Sequence, residues 1–89
     1  MKSELSKQAI KFLKRLPPKH ELQVVRRIAN LAENPLAPDV KKVSGSDYFR
    51  VDSGEYRIVY EVHSEVLFVW LVGKRNDDEV YRRLRRMIR

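Results

Sequence analysis

The sequence predicts an α+β fold: an N-terminal helical hairpin laid on one face of a small antiparallel sheet, followed by a short C-terminal helix. Three observations carry it. Apolar residues recur at helical spacing through the first third of the chain, broken only at Pro17 and Pro18. From Tyr48 to Val72 the residues become aromatic and β-branched and are cut by short turn signals. Finally, 89 residues suffice for one core and not two, so residues 1–89 are read as a single domain.

Residues 1–4, MKSE, allow a short extra edge strand but are too polar to require it. In the first helix Ala9, Ile10, Phe12, Leu13 and Leu16 form the apolar set, Lys7, Lys11, Lys14 and Arg15 the remaining arc, and Ser6 the N-cap. Pro17 and Pro18 stop it, and Pro18 can open the next helix because its fixed φ suits a first turn. That second helix places Leu22, Val25, Ile28, Ala29, Leu31 and Ala32 as its apolar set and ends in the loop from Asn34 to Pro38.

Strands are expected at Tyr48–Val51, Glu55–Val62 and Val66–Val72, separated by Asp52-Ser53-Gly54 and His63-Ser64-Glu65. Alternation puts Tyr56, Ile58, Tyr60 and Val62 on one face and Arg57, Val59 and Glu61 on the other. The run VLFVWLV is apolar on both faces and reads as the most buried strand, ended by Gly73. A last helix is capped by Asn76 or Asp77, carries Asp78 and Glu79 where the helix dipole favours acids, and shows an apolar stripe of Val80, Leu84 and Met87 or Ile88.

Composition narrows the function. Hydrophobic residues make up 43% of the chain, which argues for folding despite 35% charged residues. There is no cysteine to form a disulfide or a thiolate metal site. No stretch approaches the ~20 apolar residues of a membrane span, and MKSELSKQAI lacks the apolar segment of a secretory signal, so a cytoplasmic protein without membrane partners is expected. The net charge of +7 suits a partner that carries phosphate or acidic groups. It is unevenly placed: residues 1–27 hold eight bases against two acids, residues 28–73 four against seven, and residues 74–89 seven against three. The few bases of the acidic middle are therefore informative.

No phosphate-binding glycine loop, metal-ligand cluster or nucleophile with a supporting histidine is present, and His20 and His63 read as solvated surface groups. Four residues near strand ends stand out: Arg50, Arg57, Arg75 and Tyr81. Arg50 and Arg57 can approach across neighbouring strands, where like charges repel unless an anion lies between them, which suggests a phosphate site. The plainer alternative, that these arginines lie over the sheet and pair with Asp52, Glu55 or Glu61, stays open.

The runs YFRVDSGEYRIVYEV and VLFVWLVGKRNDDEVYRR, preceded by SKQAIKFLKRLPPKHELQVVRRI, resemble the RelE/ParE superfamily of toxin-antitoxin toxins over nearly the whole chain. GEYRIVYEV and GKRNDDEVY are similar to the two most specific segments of RelE-type nucleases. The resemblance implies metal-independent, cofactor-free cleavage of mRNA in the ribosomal decoding site, by attack of a ribose 2'-hydroxyl on the adjacent phosphate. It implies Tyr81 as base, Arg75 as acid or charge clamp and Arg57 as phosphate stabiliser. A tyrosine of ordinary pKa near 10 is a poor base, so it makes sense only beside cations that favour its phenolate. Of the two alternating bases of the family's first strand only Arg50 is present, flanked by Tyr48 and Asp52, and Asp52 is either a carboxylate base or, preferably, a partner for Arg50. Lys41, Lys42, Lys74 and Arg82 are the expected RNA or ribosome contacts. The implied partners are an acidic, partly disordered RelB-like antitoxin, the ribosome and mRNA, with operator DNA reached only through the toxin-antitoxin complex. A ParE-like inhibitor of DNA gyrase without nuclease activity is the rival within the fold, and a pure interaction module whose basic helices dock an acidic chain or bind DNA nonspecifically is the rival outside it.

Overall fold

The computed structural model describes residues 1–76 and 78–87, without the side chains of Asp78 and Glu79. The order is β1 (Lys2–Leu5), α1 (Lys7–Lys14), α2 (Pro18–Glu33), β2 (Lys41–Lys42), β3 (Phe49–Ser53), β4 (Tyr56–His63), β5 (Val66–Lys74) and α3 (Asp78–Met87). The predicted three-stranded meander is present as β3, β4 and β5, but it lies inside a five-stranded mixed sheet of order β1-β5-β4-β3-β2. β1 pairs with β5 in parallel, from Lys2 opposite Val66 to Leu5 opposite Val69. Its polar residues need no core because the strand contributes backbone hydrogen bonds, with Lys2, Ser3 and Glu4 all exposed.

Local chemistry sets the element ends. Ser6 caps α1 by accepting from the Ala9 amide at 3.1 Å, and its hydroxyl donates to the Trp70 carbonyl at 2.6 Å, so the cap also ties the helix to β5. Pro18 opens α2 as expected. Beyond β1 the amide of Gln8 continues the sheet edge: it donates to the Val72 carbonyl at 2.9 Å and accepts from the Val72 amide at 3.0 Å. Gly54, at φ 59°, turns β3 into β4, so the strand continues through Asp52 and Ser53, which the sequence placed in the turn. The turn from β4 to β5 has Ser64 and Glu65 at φ 48° and 62°, a mirror-image hairpin turn made without glycine.

The helices α1 and α2 cover one face of the sheet. Ala9, Leu13, Val24, Ile28 and Leu31 meet Val51, Tyr56, Ile58, Tyr60, Leu67, Val69 and Val72 there. Sequence periodicity misplaced the inner face of α2: Val24 is buried, whereas Leu22, Val25 and Ala29 are exposed. On α1, Ile10 is likewise exposed. The second face of the sheet carries a smaller core of Val59 and Leu71 beneath Val80 and Leu84 of α3, with Met87, Val43, Tyr48 and Trp70 packed around it. The alternation read for β4 holds, with Val59 on the α3 face. A slip in register between Val59, opposite Leu71, and Tyr60, opposite Val69, leaves Trp70 as an extra residue on β5. Leu67, Val69, Leu71, Val72 and Gly73 of β5 are buried, while Phe68 and Trp70 are half-buried and stack on each other. Gly73 does not end the strand, which runs on through Lys74. The capping role expected of Asp77, the apolar role of Ile88 and the dipole role of the Asp78 and Glu79 side chains lie outside the described residues.

Candidate functional site

The two-residue turn at Gly54 and Glu55 fixes the register of β3 on β4, and that register puts Asp52 directly opposite Arg57. The two form a forked ion pair: Arg57 Nε donates to Asp52 Oδ1 at 2.7 Å and Nη2 to Oδ2 at 3.2 Å. The Arg57 side chain is 12% exposed and that of Asp52 38%, so the arginine is the inner partner. The hydrogen bond from Arg57 holds the Asp52 carboxyl below its ordinary pKa; partial burial opposes this, and the charges of Arg57, Arg75 and Arg50 add to it. Asp52 thus sits among three cations.

On its other side Arg57 is paired with Gly73 of β5. The absence of a side chain at Gly73 is what lets α3 come down on the sheet. A Cβ placed there would lie 2.2 Å from Cγ2 of Val80, a residue only 3% exposed. Val80 anchors α3 over Gly73, and the next residue, Tyr81, meets Arg57: the guanidinium carbon lies 5.3 Å from the centre of the Tyr81 ring. Arg75 leaves β5 beside this point, and its amide donates to the Glu55 carbonyl at 2.9 Å.

Of the predicted site residues, Arg57 and Tyr81 are in direct contact, and Arg50 and Arg75 lie close enough to act on the Asp52 charge. Arg50 pairs with Val59 along β3, so it is a diagonal rather than direct neighbour of Arg57. The partner of Asp52 is Arg57 and not Arg50, which corrects the preferred sequence reading, because the tight turn shifts Asp52 into the ladder. Lys41 lies opposite Arg50 and so extends the basic row, whereas Lys42 lies opposite Phe49, on the helix-covered face. Lys74 lies opposite Tyr56 and also points away from this patch; it lines a groove of about 490 Å³ with Lys7, Lys11, Arg15 and Arg83. Arg82 is exposed on α3.

His63 is exposed, as expected, but His20 is not a simple solvated group. Its Nδ1 is 2.7 Å from the hydroxyl of buried Tyr56, so it completes the polar end of a core side chain. Sequence reasoning missed Gly73 as the seat of α3. The available signal was a glycine within a strand otherwise filled with large side chains, which marks a close approach of another element.

Chemically, the patch gathers three guanidinium groups, of which Arg57 is held by Asp52, with one phenol against Arg57. No other sequence motif adds to it: among the described residues no group of three His, Cys, Asp or Glu is arranged to hold a metal ion. No helix there is long and apolar enough to cross a membrane.

A family model for the ParE toxin of type II toxin-antitoxin system, parDE, matches residues 4–79. Comparison with curated protein sequences finds no match. Among solved structures, the chain is similar to free E. coli RelE toxin bearing two arginine-to-alanine substitutions, with 26% identity over 99% of this chain and 97% of that one and a TM-score of 0.81. The same variant bound to a RelB antitoxin peptide aligns at 28% identity, 93% and 92% coverage and a TM-score of 0.71. The archaeal RelE-RelB complex from Pyrococcus horikoshii aligns at 26% identity, 84% and 94% coverage and a TM-score of 0.75.

Proposed function

Because the chain belongs to the ParE toxin family of type II toxin-antitoxin systems, within the RelE/ParE superfamily, we propose that it is a RelE-type endoribonuclease that cuts mRNA on the ribosome. The observation that carries this reading is the contact of Arg57 with Tyr81, beside a carboxylate on which the charges of Arg50 and Arg75 also act. A gyrase inhibitor has no need of a phenol set on a guanidinium within a cationic patch, whereas transesterification of RNA uses each part.

In the proposed reaction the phenolate of Tyr81 takes the proton of the ribose 2'-hydroxyl. The 2'-oxygen then forms a bond to phosphorus while the bond to the 5'-oxygen breaks, leaving a 2',3'-cyclic phosphate and a 5'-hydroxyl end. Arg57 beside Tyr81 favours the phenolate and stabilises the negative charge of the phosphorane. Arg75 stabilises charge on the departing 5'-oxygen, which takes up a proton from water while Tyr81 returns its own to solvent, and Arg50 with Lys41 holds the flanking backbone. The ribosome supplies alignment of the 2'-hydroxyl with the phosphorus, so free RNA is a poor substrate. Metal-free action is part of the same proposal, and Lys42, Lys74 and Arg82 contribute to ribosome binding outside the reacting centre.

The partner is an acidic antitoxin, as the RelB-bound relatives suggest. The exposed residues Leu22, Val25 and Ala29, spaced to lie one above another on α2 and flanked by Lys19 and Arg26, offer an apolar strip with a basic border to an amphipathic acidic segment. Operator DNA is reached through that complex, and the protein acts in the cytoplasm. One observation favours a second reading, gyrase inhibition: the matching family model is itself described by ParE. Mapping new 5' ends on translated and untranslated copies of one message after brief induction separates the two. Cleavage confined to the translated copy, with 5'-hydroxyl ends, supports the nuclease, and intact messages with gyrase-linked DNA breaks support the inhibitor.

A further inference from the structure

The Asp52–Arg57 pair occupies the place that the proposed reaction needs free. The side-on edge of a guanidinium presents two parallel N–H groups, and carboxylate and phosphate oxygens meet that edge with the same two-point geometry. Here both Asp52 oxygens are on it, at 2.7 and 3.2 Å. The opposite flank of Arg57 is the bare backbone of Gly73, and Tyr81 backs the guanidinium, so Asp52 is its carboxylate partner within the patch. The same contacts make Asp52 unsuited to general-base work, since both of its oxygens already accept hydrogen bonds from a cation. Its side chain is the exposed member of the pair, at 38% against 12%, so it can swing out to solvent while Arg57 stays in place.

We propose that Asp52 is an internal competitor for the substrate phosphate, a gate that closes the Arg57 fork in the free protein and is displaced when an RNA phosphate enters. This rests on the nuclease reading for the identity of the substrate, though the competition itself concerns any phosphodiester at Arg57. The consequence is selectivity: RNA held at high local concentration on the ribosome displaces Asp52, and dilute free RNA does so poorly. Asp52 is a specificity-determining residue and not a catalytic one.

The test uses the whole protein and an uncleavable 2'-O-methyl oligoribonucleotide as the probe. Removing the competing charge with Asp52→Asn is expected to tighten probe binding by about five- to tenfold, the range for a partly exposed forked ion pair. It is also expected to lower KM for programmed ribosomes without lowering kcat. In an Arg57→Ala background the same substitution is expected to change probe affinity less than about twofold. In the unmodified protein, the Nε–H resonance of Arg57 is expected to shift as probe is added. Four results would overturn the gate: unchanged or weaker binding by Asp52→Asn; loss of cleavage with unchanged binding, which makes Asp52 the base; a gain of affinity that persists without Arg57; or saturating probe with an unmoved Arg57 resonance. If the Arg57-dependent gain in binding is present while no form of the protein cleaves RNA, the gate stands and the nuclease reading falls.

Discussion

Placement of Tyr81 depends on Gly73 being a glycine, and the substitution Gly73→Ala tests that dependence sharply. The added Cβ would sit 2.2 Å from Val80 Cγ2, whereas ordinary contact begins at 3.4 Å, so α3 must rise by about 1.2 Å at its first turn. Val80 cannot easily rotate away, because a β-branched residue in a helix has one strongly preferred rotamer and this one is buried. Overpacking of this kind costs about 1–3 kcal/mol of stability. A shift of about 1 Å at a catalytic group costs on the order of 100-fold in rate. Removing the clashing methyl groups should restore the fit: Gly73→Ala with Val80→Ala is expected to recover most of the cleavage rate, although Val80→Ala alone loses packing. Single-turnover cleavage on programmed ribosomes, run beside urea unfolding followed by Trp70 fluorescence, measures both quantities. Wild-type cleavage by Gly73→Ala, or a double variant no better than the single one, would refute the account of how α3 is seated.

Two further expectations concern stability. Asparagine and glycine suit the positive φ angles at Ser64 and Glu65, so Ser64→Asn with Glu65→Gly should stabilise the protein by about 1 kcal/mol in chemical denaturation; a loss would show that the turn is held by something other than local preference. Tyr60 is fully buried, its hydroxyl donates to the Pro35 carbonyl, and burial pushes its pKa up to about 12, against a small lowering by the charge of Arg27. A raised folded-state pKa means that its contribution is complete below pH ~10 and fades as pH rises toward ~12, by roughly 2–3 kcal/mol. Tyr60→Phe should lower stability at neutral pH by about 1 kcal/mol and flatten that alkaline decline, and an equally steep decline in the variant would assign it to other groups.

Much of this architecture is legible in the residues themselves. Pro17-Pro18 divides the hairpin, Ser6 caps its first helix, and the alternation of Tyr56 to Val62 assigns the two faces of β4. What escaped was what depends on tertiary placement. Helix α2 carries two apolar strips, and periodicity cannot choose between Val24-Ile28-Leu31 and Leu22-Val25-Ala29; the sheet chooses the first and leaves the second to solvent. β1 is written in polar residues because it is recruited through its backbone. In the site, the four candidate residues could be picked out one at a time, but the Asp52–Arg57 pairing required the register, and the register hung on whether Gly54-Glu55 or Asp52-Ser53-Gly54 made the turn. Had the two-residue turn been taken, the pair would have followed at once, since strand partners flank such a turn symmetrically.

Whether a tyrosine set on an arginine does the proton transfer is decided by single-turnover cleavage of mRNA on programmed ribosomes with and without Tyr81→Phe, in the presence of EDTA. The substitution removes one hydroxyl and leaves the ring against Arg57, so stability and antitoxin binding should hold. Proton transfer by Tyr81 predicts 5'-hydroxyl products from the unmodified protein in EDTA and a loss of rate on the order of 100-fold or more in the variant. Undiminished cleavage by Tyr81→Phe would contradict it.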